Sequence, residues 1–247
     1  MRYLLGIDDT DTLETRGTGF HARQLAARVE EEKLGVVHGI TRHQNYVHPD
    51  IPYTSQNSSA CLLVESAEAE SLRTFCRNFL LEIAPEGSDI GICMVKEVEV
   101  HAELVSWGQR AKREVLTKTE AREIAAKHSV YLEGLNGTHD GIIGALAAVG
   151  LRKYGDDGRF IWLKKKRELR ELSCGFVDPA ELRDNFGIQQ ILLKTGEVFS
   201  ENEEIFVHEW FRPVLKNNRI TLIVEKHIDD GKHFWKTASK DYIRAHS

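Results

Sequence analysis

The chain has 247 residues, of which 41% are hydrophobic and 29% are charged, a composition typical of one to three compact folded units. Asp and Glu number 38 against 33 Lys and Arg, and the net charge of −5 excludes a global polycation that grips nucleic acid with its whole surface. The four cysteines form no C-x-x-C pair, and no apolar run approaches the length of about 18 residues that indicates a membrane span. These features argue against a zinc ribbon and predict a cytoplasmic protein with no membrane partner.

The first predicted strand, Tyr3 to Ile7, runs directly into a turn that carries three carboxylates, Asp8, Asp9 and Asp11. Carboxylates crowded in this way repel one another unless a cation lies among them. Hard oxygen ligands of this kind suit Mg²⁺ carrying a polyphosphate, so the turn is a candidate catalytic and metal site. A solvated acidic turn explains the same residues, because Asp is an ordinary turn residue. The spacing alone leaves both interpretations open.

A glycine-containing segment comes next, just before a predicted helix from Thr18 to Lys33. Arg16, Gly17 and Gly19 have the composition of a phosphate-binding turn, because free N–H groups at a helix N-terminus favour anions and arginine pairs with phosphate oxygens. The segment is not a Walker loop, since it lacks the pattern G-x-x-x-x-G-K-[ST]. Thr18 is also expected to be the N-cap of the helix, and the two roles are compatible.

The following elements alternate in the order of a split β-α-β fold. Strands are predicted at Val36 to Thr41, at Ala60 to Glu65 and between Ile90 and Val100, with a helix from Ala67 to Ile83. The resulting β-α-β-β-α-β order predicts an α+β fold, a ferredoxin-like sandwich, over residues 1–105. Ser106 to Gly108 is expected to be a linker.

A second, smaller α/β unit is expected over residues 106–174. Thr117 and Glu120 form a capping box that predicts a helix to His128, followed by a strand at Val130 to Leu132. An apolar helix is predicted from Ile142 to Val149, and a strand near Phe160 to Leu163 closes the unit.

Residues 175–247 are expected to form a small C-terminal region with a helix and a β-hairpin. Asp178 and Pro179 predict the start of the helix. The hairpin is predicted to turn at Asn217 and Asn218, between strands at Phe211 to Leu215 and Ile220 to Val224.

Asp140 and Gly141, just before the apolar helix, form a second candidate binding segment. Asp140 has two interpretations. It is a good N-cap residue for that helix. It is also a carboxylate that would attract a cationic amine and repel a phosphate if it lay near the acidic turn.

Three stretches together resemble a known family, the archaeal tRNA-isoleucine 2-agmatinylcytidine synthetases and their shorter relatives. The stretches are Gly6 to Asp11, His48 to Pro52, and the Gly-Ile-Ile-Gly helix from Gly141 to Gly150. The resemblance implies a kinase-like and a ferredoxin-like domain, with Mg²⁺ and ATP held by Asp8, Asp9 and Asp11 and with a phosphorylatable hydroxyl near Thr18. It also implies a ligase that activates a carbonyl by phosphorylation for attack by an amine.

The chain departs from the family pattern in two loops. Tyr53 to Ser58 stands where the family has Lys-Thr-Arg-Gly-Asn, and Asp140 stands where the family tends to have arginine. Because cations supply much of the affinity for polyanions, these changes argue against a tRNA partner. We therefore expect a shortened paralogue without the family's OB and zinc-ribbon modules, acting on ATP and a small cationic amine or nucleotide. A non-catalytic nucleotide- or RNA-binding module and a genuine tRNA-modifying synthetase remain the alternatives.

Overall fold

The computed structural model describes residues 1–52, 56–163, 169, 174–199, 203–208 and 210–245. The chain divides into two compact units, Met1–Tyr154 and Gly155–Ser247. No helix in the described part is long and apolar enough to cross a membrane.

The first unit is a five-stranded antiparallel sheet with helices on both faces. Its elements are β1 (Arg2–Asp8), α1 (Thr18–Glu31), β2 (Val36–Gln44), β3 (Ser58–Glu65), α2 (Ala69–Ile83), β4 (Gly91–Lys96), α3 (Ala102–Arg110), α4 (Lys118–Lys127), β5 (Tyr131–Gly134) and α5 (Gly141–Tyr154). The strands lie in the order β5-β4-β1-β3-β2. The four strands β4-β1-β3-β2 have the arrangement of a split β-α-β fold, so the predicted α+β, ferredoxin-like sandwich is confirmed.

Both faces of this sheet are buried, which explains why β1 is an almost continuous apolar run. Successive side chains of a strand point to opposite faces. Leu4 therefore lies in a core shared with α3, α4 and α5. Leu5 and Ile7 are fully buried on the opposite side, where α1 packs on β2, β3 and α2.

Glycines allow α5 to lie directly on the sheet. A Cβ atom at Gly6 of β1 would overlap the carbonyl of Ala145, and one at Gly91 of β4 would overlap the backbone of Gly141. Side chains at these two strand positions would therefore force the helix away. The close approach fixes the first turn of α5 beside the end of β1.

The division into two units differs from the expected boundaries at residues 105 and 174. Trp107 and Gly108, expected in a linker, lie inside α3, where Trp107 is buried and Gly108 packs closely against the backbone of Leu151. One core joins α3, α4 and α5 to the sheet, and β5 pairs with β4. Residues 106–154 thus complete the first unit, and Gly108, which suggested a linker, permits helix packing instead.

The second unit contains seven strands and two helices in its described residues. They are β6 (Arg159–Leu163), β7 (Gly175–Val177), α6 (Pro179–Phe186), β8 (Gln190–Leu193), β9 (Ile205–Val207), β10 (Val214–Lys216), β11 (Arg219–Asp229), β12 (Lys232–Thr237) and α7 (Lys240–Ala245). The strands run in the order β6-β10-β11-β12-β9-β7, and β8 pairs in parallel with β11.

Two local predictions in this unit are confirmed. The Asp178 carboxylate accepts the Ala180 N–H at 2.6 Å and caps α6. Asn217 and Asn218 have φ angles of 51° and 58° in the β10–β11 hairpin, as a tight primed turn requires. The unit has more strands than expected, because β7 and β9 have only three residues each, too few to show an alternating pattern.

Candidate functional site

The predicted acidic turn begins where β1 ends. Asp8 is only 5% exposed. Asp9 has a φ angle of 51°, in the left-handed region that is uncommon for a residue other than glycine. The Asp89 N–H donates to the Asp9 carbonyl at 3.2 Å and ties the turn to the segment before β4. Both carboxyl groups therefore lie at the end of the strand.

Gly144 of α5 makes room for the Asp8 carboxylate. A Cβ atom at Gly144 would overlap one oxygen of Asp8 and would lie 3.1 Å from the Asn45 side-chain amide. Burial raises the pKa of Asp8 well above its usual value, and the charges of Asp9 and Asp11 add to the effect. A buried carboxyl group with this environment is stabilised as an anion when a cation binds beside it.

The pKa of the Asp9 carboxyl group is strongly shifted by its surroundings. Its pKa is raised to about 7, first by burial and then by the charges of Asp89, Asp11 and Asp140. Asp11 belongs to the same turn as Asp9, whereas Asp89 and Asp140 come from two other loops of the same unit. Their convergence shows that the fold concentrates negative charge at this end of the sheet.

Asp11 contacts the start of α1. Its Oδ1 accepts the Thr18 N–H at 3.0 Å and the Thr18 hydroxyl at 2.9 Å. The expected N-cap at Thr18 is wrong, because Gly17 occupies that position and makes no side-chain cap, and Asp11 supplies the oxygen from seven residues upstream. Thr18 is buried, at 6% exposure, and its hydroxyl is bound to one of the three predicted carboxylates.

The remaining residues of the predicted phosphate-binding turn lie around this contact. Gly17 and Gly19 flank Thr18 at the beginning of α1. Arg16 is exposed, with its guanidinium 5.0 Å from the centre of the Phe20 ring. The glycines are therefore next to the acidic turn, whereas the Arg16 guanidinium lies against an aromatic ring of the helix.

Asp140 belongs to the same acidic region but is held by a cation. One oxygen lies 2.9 Å from the Lys118 ammonium and the other accepts the Thr138 hydroxyl at 2.6 Å. Burial acts to raise the pKa of Asp140, but these two contacts outweigh it and lower that pKa below its usual value. The cation is a lysine of the same chain, so binding of a cationic substrate by Asp140 stays a prediction. The Gly141 N–H donates to the Asp89 carbonyl at 3.1 Å.

Asp89, which no sequence motif predicts, connects the two predicted segments. Its carboxylate accepts the Asp140 N–H at 3.1 Å and lies 2.5 Å from the Thr138 hydroxyl, which it shares with the carboxylate of Asp140. Strand pairing explains the position of Asp89. Gly91 of β4 pairs with Asp8, so the residues just before β4 lie beside the acidic turn. A lone aspartate before a strand carries no motif of its own.

Two cavities open beside the acidic turn and share Asp9, Pro52 and Asp140. The smaller cavity, of about 170 Å³, is lined by Asp8, Asp9, Asn45, Asp50, Ile51, Pro52, Asn57, Ala111, Glu114, Val115, Leu116, Asp140, Ile143 and Gly144. The larger, of about 610 Å³, is lined by Asp9, Asp11, Thr12, Leu13, Glu14, Pro52, Glu86, Gly87, Asp89 and Asp140. Neither lining contains Lys, Arg or His among the residues that the structure describes.

The carboxylates surround the cavities without forming a closed cage. Within the described ranges, three ligand atoms gather within 4.8 Å of one another only in a different cluster, on α3 and α4. Mg²⁺ usually keeps several waters and binds through one or two carboxylates together with substrate phosphates. An open arrangement of Asp8, Asp9 and Asp11 fits that mode of binding, and their hard oxygen atoms fit that ion.

Comparison with known proteins gives relatives for part of the chain. No protein-family model matches it. The tRNA-isoleucine 2-agmatinylcytidine synthetase TiaS of Archaeoglobus fulgidus is 35% identical over 155 residues, which are 61% of this chain and 36% of that protein. An uncharacterised protein of Methanocaldococcus jannaschii is 30% identical over 156 residues, 62% of this chain and 51% of that protein.

A solved structure gives the corresponding match in fold. The complex of TiaS with its isoleucine tRNA, AMPCPP and agmatine has a TM-score of 0.53 and 32% identity, covering 61% of this chain and 36% of that chain. These findings confirm the resemblance to the 2-agmatinylcytidine synthetases over part of the chain. The chain spans about a third to a half of the length of the curated relatives it matches.

Proposed function

We propose that this chain is a Mg²⁺- and ATP-dependent ligase that activates a carbonyl group by phosphorylation and joins it to an amine. The observation that carries the proposal is the convergence of Asp8, Asp9 and Asp11 on two adjoining cavities in a protein related to TiaS. The larger cavity, of about 610 Å³, falls within the range of roughly 300–1,000 Å³ that is usual for small-molecule sites.

The charge of the larger cavity requires a cation for any nucleotide to bind there. Its acidic lining repels a polyphosphate, and bound Mg²⁺ would supply the charge that attracts and neutralises the phosphate oxygens. Asp9 and Asp11 line this cavity, and Asp8 and Asp9 line the smaller one beside it, so we assign all three to hold the ion. Gly17 and Gly19, at the beginning of α1, are assigned to the phosphates.

The reaction that this assignment supports has two steps. The carbonyl oxygen forms a bond to a phosphorus atom of ATP, and the rest of the nucleotide leaves. The amine nitrogen then forms a bond to the activated carbon, and phosphate leaves with the original carbonyl oxygen while the nitrogen loses a proton. The residues contribute mainly by holding the reactants in place and by neutralising charge. We assign Thr18 a role at the phosphates because its hydroxyl is bound to Asp11.

The smaller cavity supports an alkyl amine as the second reactant. Its walls include the apolar side chains of Ile51, Pro52 and Ile143, and Asp50 and Asp140 supply negative charge. At about 170 Å³ the cavity is smaller than the usual range of roughly 300–1,000 Å³ for small-molecule sites, so it suits a small reactant rather than a nucleotide. Apolar walls with carboxylates at the rim are complementary to a short carbon chain that ends in an ammonium or guanidinium group.

The test is ATP turnover with agmatine and other polyamines, comparing the parent chain with Asp140→Asn and Lys118→Met. Both substitutions remove the ion pair between Asp140 and Lys118, which is partly exposed and should contribute little to stability. If Asp140 binds the amine, Asp140→Asn raises the KM for the amine, whereas Lys118→Met leaves it equal or lower because a competing cation is gone. Equal kinetic constants for the parent and Asp140→Asn would remove Asp140 from the proposal.

A second candidate for the substrate that carries the carbonyl group is tRNA. The relatives favour this substrate. TiaS is a synthetase named for an isoleucine tRNA, and it forms a complex with that tRNA and agmatine. The sequence argument against tRNA rests on missing cations at residues 53–58 and at Asp140, and residues 53–55 lie outside the described part. The comparisons give that argument no support, so tRNA stands beside a free nucleotide as a substrate candidate. A non-catalytic binding module would bind Mg²⁺-ATP without any turnover.

A further inference from the structure

A cluster of metal-ligating side chains lies on α3 and α4, away from the acidic turn. His101 is the N-cap of α3, Glu103 is in its first turn, and His128 is the C-cap of α4. One ligand atom from each of the three lies within 4.8 Å of the other two. We propose that His101, Glu103 and His128 bind a transition-metal cation of the zinc class.

The ligand set selects zinc over the ion proposed for the acidic turn. Two imidazoles and one carboxylate are a combination that zinc accepts, whereas Mg²⁺ prefers oxygen ligands alone. A tetrahedral zinc ion with bonds of about 2.0–2.2 Å holds its ligand atoms roughly 3.4 Å apart. To bind one ion, the imidazoles of His101 and His128, whose planes lie at 19° to one another, would have to turn so that a nitrogen of each faces the ion. His101 is exposed, which leaves a fourth position for water.

The present contacts already bring the three side chains together. The rings of His101 and His128 stack with centroids 4.1 Å apart, and Glu103 Oε2 lies 2.7 Å from His128 Nε2. His101 Nδ1 accepts the Glu103 N–H at 3.2 Å, so a metal ion bound to this nitrogen would replace that hydrogen bond.

Lys127 provides the feature that separates a metal site from an ordinary ion-pair cluster. Its ammonium lies 2.7 Å from Glu103 Oε2, the same oxygen that contacts His128. A bound metal ion and this ammonium compete for one oxygen. Removing the ammonium therefore strengthens metal binding, although it removes an ion pair from the protein.

A metal ion at this place would brace a helical hairpin that reaches the candidate active site. The cluster joins the beginning of α3 to the end of α4. The connection between the two helices, residues 111–117, contributes Ala111, Glu114, Val115 and Leu116 to the smaller cavity. The expected role of the ion is therefore structural, with thermal stabilisation as its direct readout.

The test is calorimetric titration of the full chain with Zn²⁺ while Mg²⁺ is kept in excess to occupy the acidic turn. We expect one equivalent of zinc to bind the parent and to raise its melting temperature. His128→Gln and His101→Asn should lose both effects, and His101→Asn retains an oxygen that can cap α3. His233→Asn, an exposed histidine on β12, is the matched control and should bind zinc like the parent.

The variant Lys127→Ala tests the competition for the Glu103 oxygen. We expect it to bind zinc more tightly than the parent. Zinc binding that is unchanged in both His101→Asn and His128→Gln overturns the proposal, as does a parent chain that binds no zinc. Weaker binding in Lys127→Ala also contradicts it, because the shared Glu103 oxygen is the basis of the predicted competition.

Discussion

At the scale of single residues, the surroundings of the Asp9 carboxyl group disfavour its ionised form. It combines a left-handed backbone, a neighbouring buried Asp8 and two further carboxylates from other loops, Asp89 and Asp140. Such an arrangement costs stability in the absence of a cation, because like charges in a partly buried site repel. Residues of this kind are typical of functional sites, where stability is exchanged for ligand binding.

The raised pKa of Asp9 leads to a prediction about stability and pH. In the folded chain this pKa is about 7, against about 3.9 for an unfolded aspartate, so the folded state retains a proton that the unfolded state loses. The stabilisation is therefore present at low pH and disappears as the pH rises through 7. In EDTA, we expect the free energy of unfolding to fall by about 2 kcal/mol between about pH 5.5 and about pH 8.

Urea unfolding of the parent and of Asp9→Asn at the two pH values measures this effect. The variant has no ionisable group at the position, so its stability should change less over the same interval. Parallel changes in the two proteins would contradict the assigned environment of Asp9.

The side chain of Asp11 holds the start of α1 through Thr18, so we expect its substitution to change stability. Asp11→Ala removes the acceptor for the Thr18 N–H and hydroxyl at the start of α1 and should cost about 1 kcal/mol of stability. Asp11→Asn keeps a carbonyl oxygen at that position and should unfold close to the parent. Thermal or urea unfolding compares the three chains, and equal stability of the two variants would exclude the capping role.

At the scale of elements, the position of α5 determines the geometry of the site. The apolar pattern of Ile142 to Val149 predicted the helix, but the register of its glycines against the sheet depends on three-dimensional packing. Gly6 and Gly91 let the helix approach, and Gly144 leaves space for Asp8. The sequence predicts the helix and the carboxylates separately. Only the fold shows that Gly144 of the helix leaves space for the carboxylate of Asp8.

Gly144→Ala tests this relation, with Gly150→Ala as a matched control on the same helix. Each change adds one methyl group and gains up to about 1 kcal/mol of helix propensity. The new methyl at 150 would overlap the Leu104 carbonyl, whereas the methyl at 144 would overlap the Asp8 carboxylate. Both variants should lose stability, but only Gly144→Ala should weaken Mg²⁺-ATP binding, by roughly tenfold.

Binding is to be measured by calorimetry under conditions in which both variants remain folded, as judged by circular dichroism. Equal affinity of Gly144→Ala and Gly150→Ala for Mg²⁺-ATP would show that Asp8 does not take part in binding.

At the scale of the whole molecule, sequence analysis recovered the first unit better than the second. The long, strongly patterned elements from β1 to β4 were predicted, and the order of their types was enough to indicate the ferredoxin-like arrangement. The boundary at residue 105 failed because Ser106 and Gly108 resemble a linker in sequence, although Gly108 allows α3 to pack closely. Asp89 was missed for a related reason, since its place beside Asp9 follows from strand pairing and from no local pattern.

The proposed tRNA substrate is tested with the whole chain. ATP turnover with agmatine is measured in the presence of an isoleucine tRNA transcript, a free cytidine nucleotide or neither. If tRNA supplies the carbonyl, turnover requires the transcript and covalent addition of the amine to the RNA is detected by mass spectrometry. Turnover with the free nucleotide alone would assign a small-molecule substrate, and amine-dependent turnover with neither would contradict both candidates.

The most direct test of the central claim, that the acidic turn binds Mg²⁺-ATP, is isothermal titration of the chain with ATP. We expect ATP to bind the parent in Mg²⁺ but not in EDTA, and not to bind Asp8→Asn in Mg²⁺, although that variant remains folded. Glu31→Gln removes an exposed carboxylate of α1 that lies outside the cavities and should bind as the parent does. Binding of Mg²⁺-ATP to Asp8→Asn with the affinity of the parent would contradict the account.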